Sequence, residues 1–255
     1  MSASSSVDIM LRSLRLPSVL REYKNLSKTG EQQQWSFEQY LHALLELEVS
    51  DRRERRKKRL LKASKLPDGK NLDAMKREWI PVKVRKQLPA LLDGGFVERA
   101  ENVLAFGLPG RGKTHLLAGI ARELILRHQY KILFTTTFRL VQQLLVAKRE
   151  LELEALLKKL DRFDVVLLDD IGYVQQNREE MEVLFTFLSE RYERRSLMIS
   201  SNLLFSEWDQ IFKNPMTTAA AIDRLVHHSI ILELNGESIR ALQARERLKK
   251  QGVPK

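Results

Sequence analysis

The feature that most constrains this chain is an eight-residue loop, residues 107–114, with the sequence GLPGRGKT. Its spacing is G-x-x-x-x-G-K-[ST], in which glycines let the backbone turn tightly and point its N–H groups at phosphate oxygens. A short apolar run, 102–106, precedes the loop, and a segment with helical spacing, 115–124, follows it. A helix N-terminus adds partial positive charge to such a loop. The chain is therefore predicted to place this loop between a strand and a helix and to bind a nucleotide there.

Two side chains at the end of the loop have specific chemical roles. Lys113 can reach the β- and γ-phosphates of a nucleoside triphosphate, and the Thr114 hydroxyl can ligate Mg²⁺. A triphosphate and Mg²⁺ are therefore the expected ligands. The residues assigned to nucleotide contact are those of the loop and the residue that follows it: Gly107, Pro109, Gly110, Arg111, Gly112, Lys113, Thr114 and His115.

A pair of carboxylates follows a wholly apolar run, 165–168, and supplies the rest of a hydrolytic site. Ligands bind at the carboxyl ends of parallel strands, so the pair is expected to face the phosphates. Asp169 is predicted to face the metal, and Asp170 is predicted to polarise the attacking water. Asn202 ends the next apolar run. Alone it is more typical of a turn or helix cap, but its place on the strand after the acidic pair favours holding the water.

The pattern of apolar runs predicts an α/β domain with a parallel sheet flanked by helices. Segments with helical spacing alternate with these runs, and one of them is expected to be a continuous helix over 137–160. Pro81 and Pro89 are expected to limit the helices before the domain, and Gly94 with Gly95 to close that region. The expected strands are 102–106, 131–135, 165–168, 197–201 and 230–234.

A small all-helical domain is predicted to precede the α/β domain. Ser36 and Gln39 have the spacing of a capping box that opens a long helix, whose apolar stripe is Phe37, Tyr40, Leu41, Leu44, Leu45 and Val49. The turn sequence at 66–69 marks the end of the domain. The predicted segments are a helical domain at 1–66 that binds DNA or a partner, a connector at 67–96, a catalytic domain at 97–240 and a basic tail at 241–255.

The composition narrows the class of protein. The formal net charge is +11 and the isoelectric point is about 9.8, which favours a polyanionic partner such as nucleic acid over an anionic membrane surface. The absence of cysteine excludes disulfides and thiolate metal sites. No run approaches the roughly 18 apolar residues that span a bilayer, and the polar N-terminus does not resemble a secretory signal. We therefore expect a cytoplasmic protein without a membrane partner.

A dense cluster of cations on the predicted long helix is the leading candidate for DNA binding. Such charges repel one another unless a polyanion neutralises them, and each phosphate contact releases counterions. The alternative is a solvated helix face, partly paired with Asp51 and Glu54. No base-reading motif is present, so contacts to the DNA backbone with little sequence preference are expected. The cluster comprises Arg52, Arg53, Arg55, Arg56, Lys57, Lys58 and Arg59.

The histidines are interpreted as structural. His227 and His228 are assigned to a strand, where adjacent side chains point to opposite faces and cannot bind one metal ion together. Phe205, Trp208 and Phe212 have helical spacing and are expected to lie in the core.

With these motifs assembled, the chain resembles the IstB-like transposition helper ATPases of bacterial insertion sequences. These belong to the initiator and helicase-loader clade of the AAA+ superfamily. The resemblance covers nearly the whole chain, and DRLVHH followed by GES is far more specific than the phosphate loop. The matching segments are 107–115, 134–136 (FTT), 168–173 (LDDIGY), 190–193 (ERYE), 201–203 (SNL), 208–209 (WD), 223–228 (DRLVHH) and 236–240 (GESIR).

The resemblance implies roles that the residues alone do not. Arg224 would be an arginine finger that reaches the nucleotide of a neighbouring subunit; without the resemblance it would be an ordinary partner of Asp223. Arg240 would approach the phosphates, although position 239 is Ile instead of the family's Tyr. Many AAA+ proteins have Glu at the position of Asp170, so slow ATP hydrolysis is expected. About 20 residues follow Gly236, so the helical lid typical of larger AAA+ proteins is expected to be absent. The resemblance also implies that a homo-oligomer assembles through the ATP site.

The resemblance also suggests a second DNA-binding candidate, in the helical segment after residue 135. In the initiator clade an inserted helix there lines the inner surface of a spiral and can track DNA. The cations of this segment are Arg139, Lys148 and Arg149.

The function that the resemblance implies is ATP-dependent and concerns DNA. The protein would assemble on double-stranded target DNA in the bacterial cytoplasm and recruit or activate a transposase of the integrase type. One alternative is a replicative helicase loader, which shares every active-site motif and would favour single-stranded DNA. Another is an ATP-gated DNA scaffold whose hydrolysis is incidental.

Overall fold

A computed structural model of the chain describes residues 3–172, 177–203, 207–208, 223, 225–236 and 238–239, with side chains described from residue 6. The chain divides into two compact units, 1–59 and 60–255. The predicted segment boundaries at 66, 96 and 240 stay predictions. The predicted basic tail, 241–255, lies outside the described residues. No helix in the described part of the chain is long and apolar enough to cross a membrane.

The first unit is helical. Its helices are α1 (Ala3–Ser13), α2 (Pro17–Gln32) and the first part of α3 (Phe37–Ser64), which continues into the second unit. Pro17 begins α2, where the missing N–H has no helical partner to lose. The predicted capping box is confirmed, because the Ser36 N–H donates to Gln39 Oε1 at 2.8 Å and the Gln39 N–H donates to Ser36 Oγ at 3.2 Å.

Glu48 of α3 joins this helix to the start of α2. Its buried carboxylate accepts hydrogen bonds from the Ser18 N–H at 2.9 Å, from the Val19 N–H at 3.4 Å and from Arg52 Nε at 2.8 Å. Burial acts to raise the pKa of Glu48, but these hydrogen bonds together bring it below the ordinary value. The N-terminus of α2 therefore binds the Glu48 carboxylate in its charged form.

The apolar stripe predicted for α3 is only partly buried. Leu44 is buried and Tyr40 is half-buried. The other members are exposed, because the buried side of the helix passes through Glu48. The exposed members, four residues apart along one side of the helix, are Phe37, Leu41, Leu45 and Val49.

The second unit is an α/β domain, as predicted. Its helices are α4 (Val82–Asp93), α5 (Gly95–Glu98), α6 (Lys113–His128), α7 (Thr137–Arg149), α8 (Leu153–Leu160) and α9 (Arg178–Arg191). A short 3₁₀ turn, Arg77–Trp79, precedes α4. The strands are β1 (Asn102–Phe106), β2 (Ile132–Thr136), β3 (Val165–Ile171), β4 (Ser196–Ser201) and β5 (Ser229–Glu233).

The five strands form one sheet in the order β2-β3-β4-β1-β5. All four pairings are parallel, so the carboxyl ends of the strands meet along one edge. Helices α4 and α6 cover one face, and α7 and α9 cover the other. Every residue of β1 is buried for this reason, which explains the apolar sequence of 103–106.

The helix boundaries differ from the prediction at two places and agree with it at a third. The helix predicted over 137–160 is two helices, because Leu151 adopts a left-handed φ of 59° between them. Pro89 does not limit a helix but lies inside α4. Gly94 does end that helix, with a left-handed φ of 80° that glycine adopts without steric cost.

One predicted core residue is confirmed. The Trp208 side chain is fully buried and its ring centroid lies 6.3 Å from that of Phe106. Phe205 and Phe212, the other two aromatic residues predicted for this part of the core, lie outside the described residues.

Candidate active site

The phosphate loop lies between the end of β1 and the start of α6. Gly110 and Gly112 have left-handed φ values of 80° and 81°. Gly107 has a φ of 150°, and a Cβ there would lie 2.5 Å from the carbonyl oxygen of Leu234. That neighbour cannot move away cheaply, because the Leu234 N–H donates to the Phe106 carbonyl at 2.8 Å. The first glycine of the motif is therefore required by the close approach of two backbones.

The Lys113 ammonium group lies in the centre of the loop. Nζ donates to the carbonyl oxygens of Gly107 at 2.6 Å and Leu108 at 3.1 Å, and to Asn202 Oδ1 at 2.5 Å. The side chain is 5% exposed. Lys113 thus connects the phosphate loop to the carboxyl end of β4, which is where the sequence predicted Asn202 to act.

A hydroxyl–carboxylate network joins the loop to β3. Thr114 Oγ1 donates to Asp169 Oδ1 at 2.7 Å, and Ser200 Oγ donates to the same oxygen at 2.7 Å. Asp169 is buried at 8% exposure. A hydroxyl and a carboxylate at the edge of a phosphate loop are the hard oxygen ligands that Mg²⁺ prefers, so the donor set fits this metal.

Asp170 turns away from its neighbour and towards the cleft. Its φ is 57°, and its N–H donates to Ser200 Oγ at 2.9 Å. The pairing of β3 with β4 shifts register between Leu168 and Ile171, which accommodates this conformation. Asn202 Nδ2 lies 3.5 Å from Asp170 Oδ1. Asp170 and Asn202 therefore lie side by side at the carboxyl ends of adjacent strands.

The loop from Pro109 to Thr114, with Asp170 and Asn202, lines one cleft of about 340 Å³. Its other wall comes from the predicted connector, for which sequence reasoning assigned no ligand contact. His115 faces this wall, with Nε2 2.8 Å from the Asn71 carbonyl oxygen. Lys76 Nζ lies 5.0 Å from the centroid of the Trp79 ring. The wall consists of Lys70, Met75 and Trp79, together with Ile239.

The sequence did not predict two parts of the site, the apolar wall of the cleft and Ser200. The apolar wall had a detectable signal. Met75, Trp79 and Ile80 form an apolar group within a polar connector, and such a group needs a surface to cover. Ser200 had no comparable signal, because a serine at a strand end is common. Its role follows only from the strand register.

Arg111 faces the strand edge as well as the cleft. It is 7% exposed, and Nε donates to the Leu234 carbonyl at 3.2 Å. Gly236, with a φ of 112°, packs so closely that a Cβ there would lie 2.5 Å from Arg111 Nη2. The nucleotide contact assigned to Arg111 stays a prediction.

Two of the assigned site residues, Arg224 and Arg240, lie outside the described residues. Both chain neighbours of Arg224 are described, and so is the residue before Arg240. The Ile239 N–H donates to the Gly110 carbonyl at 2.9 Å, so the residue before Arg240 contacts the phosphate loop. The roles of both arginines stay predictions.

The basic cluster on α3 is only partly paired. Glu48 binds Arg52 at 2.8 Å and Arg55 at 3.2 Å, and Glu54 binds Lys57 at 2.7 Å. Asp51, the other expected partner, pairs with Arg21 instead. Within the described part of the chain, no ion pair is found for the remaining cations, which are exposed: Arg53, Arg56, Lys58 and Arg59.

The second basic candidate is divided among different environments. Arg139 borders a cavity of about 740 Å³ together with Lys65 and Lys159. Lys148 forms an ion pair with Glu182 at 3.0 Å, and Arg149 is exposed. The α7 segment therefore contributes fewer exposed cations than α3.

Comparison with known proteins agrees with the resemblance noted in the sequence. The sequence profile of the family described as IstB-like ATP binding protein matches residues 9–247. A Sinorhizobium fredii protein named insertion sequence ATP-binding protein y4iQ/y4nD/y4sD is 42% identical over 96% of this chain and 83% of its own length. The IS5376 ATP-binding protein of Geobacillus stearothermophilus is 35% identical over 93% of this chain and 94% of its own length.

Solved structures agree on the fold. The DnaC helicase loader superimposes with a TM-score of 0.57 at 17% identity, over 70% of this chain and 99% of its own. DnaA from Aquifex aeolicus, solved with AMPPCP bound, superimposes with a TM-score of 0.54 at 16% identity, over 75% of this chain and 58% of its own. At such identities the similarity shows the AAA+ fold alone.

Proposed function

The chain belongs to the IstB-like ATP-binding protein family, and from this premise we propose that it hydrolyses ATP and acts on DNA in transposition. The observation that carries the proposal is the Thr114–Asp169 hydrogen bond of 2.7 Å. It joins the phosphate loop to a buried carboxylate at the carboxyl end of β3. Both groups are oxygen ligands at the mouth of a parallel sheet, where nucleotides bind in such folds.

In this proposal the loop holds the triphosphate and Lys113 exchanges its carbonyl partners for phosphate oxygens. The backbone N–H groups of the loop and the N-terminus of α6 add partial positive charge. Thr114 and Asp169 hold Mg²⁺, which supplies charge neutralisation at the β- and γ-phosphates. The apolar side of the cleft, formed by Met75, Trp79 and Ile239, takes the adenine base.

Asp170 and Asn202 are assigned to the attacking water. Asp170 orients the water and accepts its proton, while the Asn202 amide fixes the water's position. The two side chains are 3.5 Å apart, so one water can contact both. Asp170 is one methylene shorter than the Glu of many AAA+ proteins, which supports slow turnover, as in a switch.

The site is proposed to be completed by a second copy of the chain. Arg224 would neutralise charge on the γ-phosphate of a neighbouring subunit, and Arg240 would approach the phosphates from the segment next to Gly110. ATP binding would then drive formation of a homo-oligomer.

The exposed cations of α3 are proposed to bind the backbone of double-stranded DNA. An α-helix advances 100° per residue, so Arg52, Arg55, Arg56 and Arg59 lie within an arc of about 100° on one side. Glu48 partly neutralises the first two of them. Arg56 and Arg59 are therefore the strongest candidates for phosphate contacts, and Arg53 lies beside them.

A paired-variant titration tests the DNA proposal. Arg56→Ala combined with Arg59→Ala should weaken binding to duplex DNA and lower the slope of log K against log salt by about 2, because each lost phosphate contact removes about 0.9. The matched control combines Arg122→Ala with Arg127→Ala, two exposed arginines of α6 that give the same change in charge. Fluorescence anisotropy measures both. An equal loss in the control would mean that net charge alone drives binding.

The two alternatives predict different results. A helicase loader should prefer single-stranded over double-stranded DNA of equal length, and the DnaC-like fold keeps this alternative open. An ATP-gated scaffold should support transposition unchanged when Asp170→Asn abolishes hydrolysis. We favour the transposition helper with an integrase-type transposase as partner, because the relatives of highest identity reported above are insertion-sequence proteins.

A further inference from the structure

A second group of potential ligands lies apart from the nucleotide cleft, where the turn after α9 meets the turn before β5. It consists of Glu193, His227 and His228, all exposed, whose ligand atoms lie within 4.8 Å of one another. The prediction that His227 and His228 lie on a strand was wrong. They belong to a turn instead of a strand, so their side chains are not forced to opposite faces.

The side chains are already close to one another. The His227 and His228 ring centroids are 4.3 Å apart at an interplanar angle of 80°, and His228 Nε2 lies 3.5 Å from Glu193 Oε1. Nitrogen ligands of tetrahedral zinc, at about 2.0–2.1 Å from the metal, lie roughly 3.3 Å from one another. The required movement is therefore about 1.5 Å, which exposed side chains make by rotation about their χ angles.

The backbone of this cluster is held by hydrogen bonds. The His227 N–H donates to the Asp223 carbonyl at 3.0 Å, and the His228 carbonyl accepts from the Asn102 N–H at 2.7 Å. On the other side, the buried Arg191 donates to the carbonyls of Leu160 at 3.1 Å and Ser196 at 3.0 Å, which fixes the end of α9 two residues before Glu193. The ligand positions are therefore pre-organised, and only side chains must move.

The charged groups next to the cluster are held in ion pairs of their own. The neighbouring arginines are neutralised elsewhere, since Arg194 pairs with Asp161 at 3.0 Å and Arg195 pairs with Asp164 at 3.0 Å. Glu101 is paired in the same way, with Arg99 at 2.9 Å, so the fixed charges beside the cluster do not oppose a bound cation.

The ligand set also selects the kind of metal. Two imidazoles and one carboxylate favour zinc and related transition metals over Mg²⁺ or Ca²⁺, which prefer oxygen ligands. We propose that Glu193, His227 and His228 bind one zinc-class divalent cation, with water completing its coordination. This site is separate from the Mg²⁺ ligands Thr114 and Asp169. The bound metal ties the segment before β5 to the end of α9.

Zinc titration of the full chain tests the proposal. The protein is first stripped with a chelator and then titrated with Zn²⁺ against a chromophoric indicator, in excess Mg²⁺ so that the oxygen ligands of the nucleotide cleft are occupied. We expect one tight equivalent per chain. Glu193→Gly and the double variant His227→Ala/His228→Ala should each weaken this equivalent by more than about 100-fold, since losing even an outer-shell partner costs about 10–100-fold.

The variants are chosen so that misfolding does not confuse the result. Glu193 has a left-handed φ of 58°, a conformation that glycine adopts more readily, so Glu193→Gly removes the ligand while relaxing the backbone. The control is His42→Ala/Glu46→Gln, which removes another exposed His–Glu pair, 3.8 Å apart on α3. This control should keep the tight equivalent.

A second probe reports on the ligands directly. Co²⁺ bound at the site should give the visible absorption of a four- or five-coordinate ion in the unchanged protein and lose it in Glu193→Gly. The proposal is overturned if the tight equivalent persists in both ligand variants, or if the His42 control loses it to the same extent.

Discussion

At the scale of single residues, one carboxylate organises the candidate site. Asp169 Oδ1 accepts hydrogen bonds from Thr114 and from Ser200, both at 2.7 Å. The sequence predicted Thr114 and Asp169 because the phosphate loop and the acidic pair have diagnostic spacing. It did not predict Ser200, which has no such spacing and whose contact depends on how β4 aligns with β3.

Ser200→Ala should separate stability from metal binding. The change removes a donor to Asp169 and the acceptor of the Asp170 N–H, so we expect the free energy of unfolding to fall by about 1–3 kcal/mol. Mg²⁺-dependent ATP hydrolysis should fall as well, because Asp169 loses a group that positions it. Urea unfolding and a steady-state ATPase assay measure the two effects.

The adjacent serine offers a matched control. Ser201 is also buried on β4, but among the described residues its hydroxyl bonds to the backbone of Ile171 and Leu203 alone. Ser201→Ala should destabilise the fold by a similar amount without a specific loss of ATPase activity in the folded protein. Equal ATPase losses in the two variants would remove Ser200 from the site.

At the scale of elements, the sequence predicted the strands well because apolar runs in a parallel sheet are buried on both faces. All five expected strands are present, with ends shifted by up to three residues. The break between α7 and α8 was not predictable in the same way, since Leu151 is a leucine in a left-handed conformation. Pro89 within α4 likewise shows packing overriding a local preference.

The connector is the element whose role changed most between sequence and structure. Its turn residues and prolines predict a connector without ligand contacts. The structure places Met75 against the phosphate loop, where a Cβ on Gly112 would lie 2.9 Å from Met75 Cε, and Trp79 lines the same cleft. The element therefore contributes to the cleft as well as joining two regions of the chain.

Trp79→Ala should weaken ATP binding by about two- to tenfold, because stacking of an aromatic ring contributes about 0.5–1.5 kcal/mol. Binding of inorganic triphosphate should be unchanged, since it has no base to stack. Trp79→Phe keeps a flat ring and should retain most of the affinity. Competition titration with a fluorescent nucleotide measures all three. An equal loss for ATP and triphosphate would mean that Trp79 supports the loop instead of the base.

At the scale of the whole molecule, net charge and family membership give the most information about binding partners. The net charge of +11 predicted a polyanionic partner, and we propose that the exposed cations of α3 bind it. Roles for Arg224 and Arg240, the arginines assigned to the nucleotide site between subunits, could be predicted only from the family resemblance. A single arginine near an Asp has no sequence feature that distinguishes a finger from an ordinary surface ion pair.

The proposed ATPase function depends on a triphosphate bound at the carboxyl ends of the strands together with Mg²⁺. Isothermal titration calorimetry of the purified chain with ATP tests that claim most directly, with Mg²⁺ present or removed by chelation. We predict Mg²⁺-dependent binding of one ATP per chain, lost in Lys113→Ala and at least about tenfold weaker in Thr114→Ala, equivalent to about 1.4 kcal/mol. Equal binding by Lys113→Ala, or binding indifferent to Mg²⁺, would contradict the account.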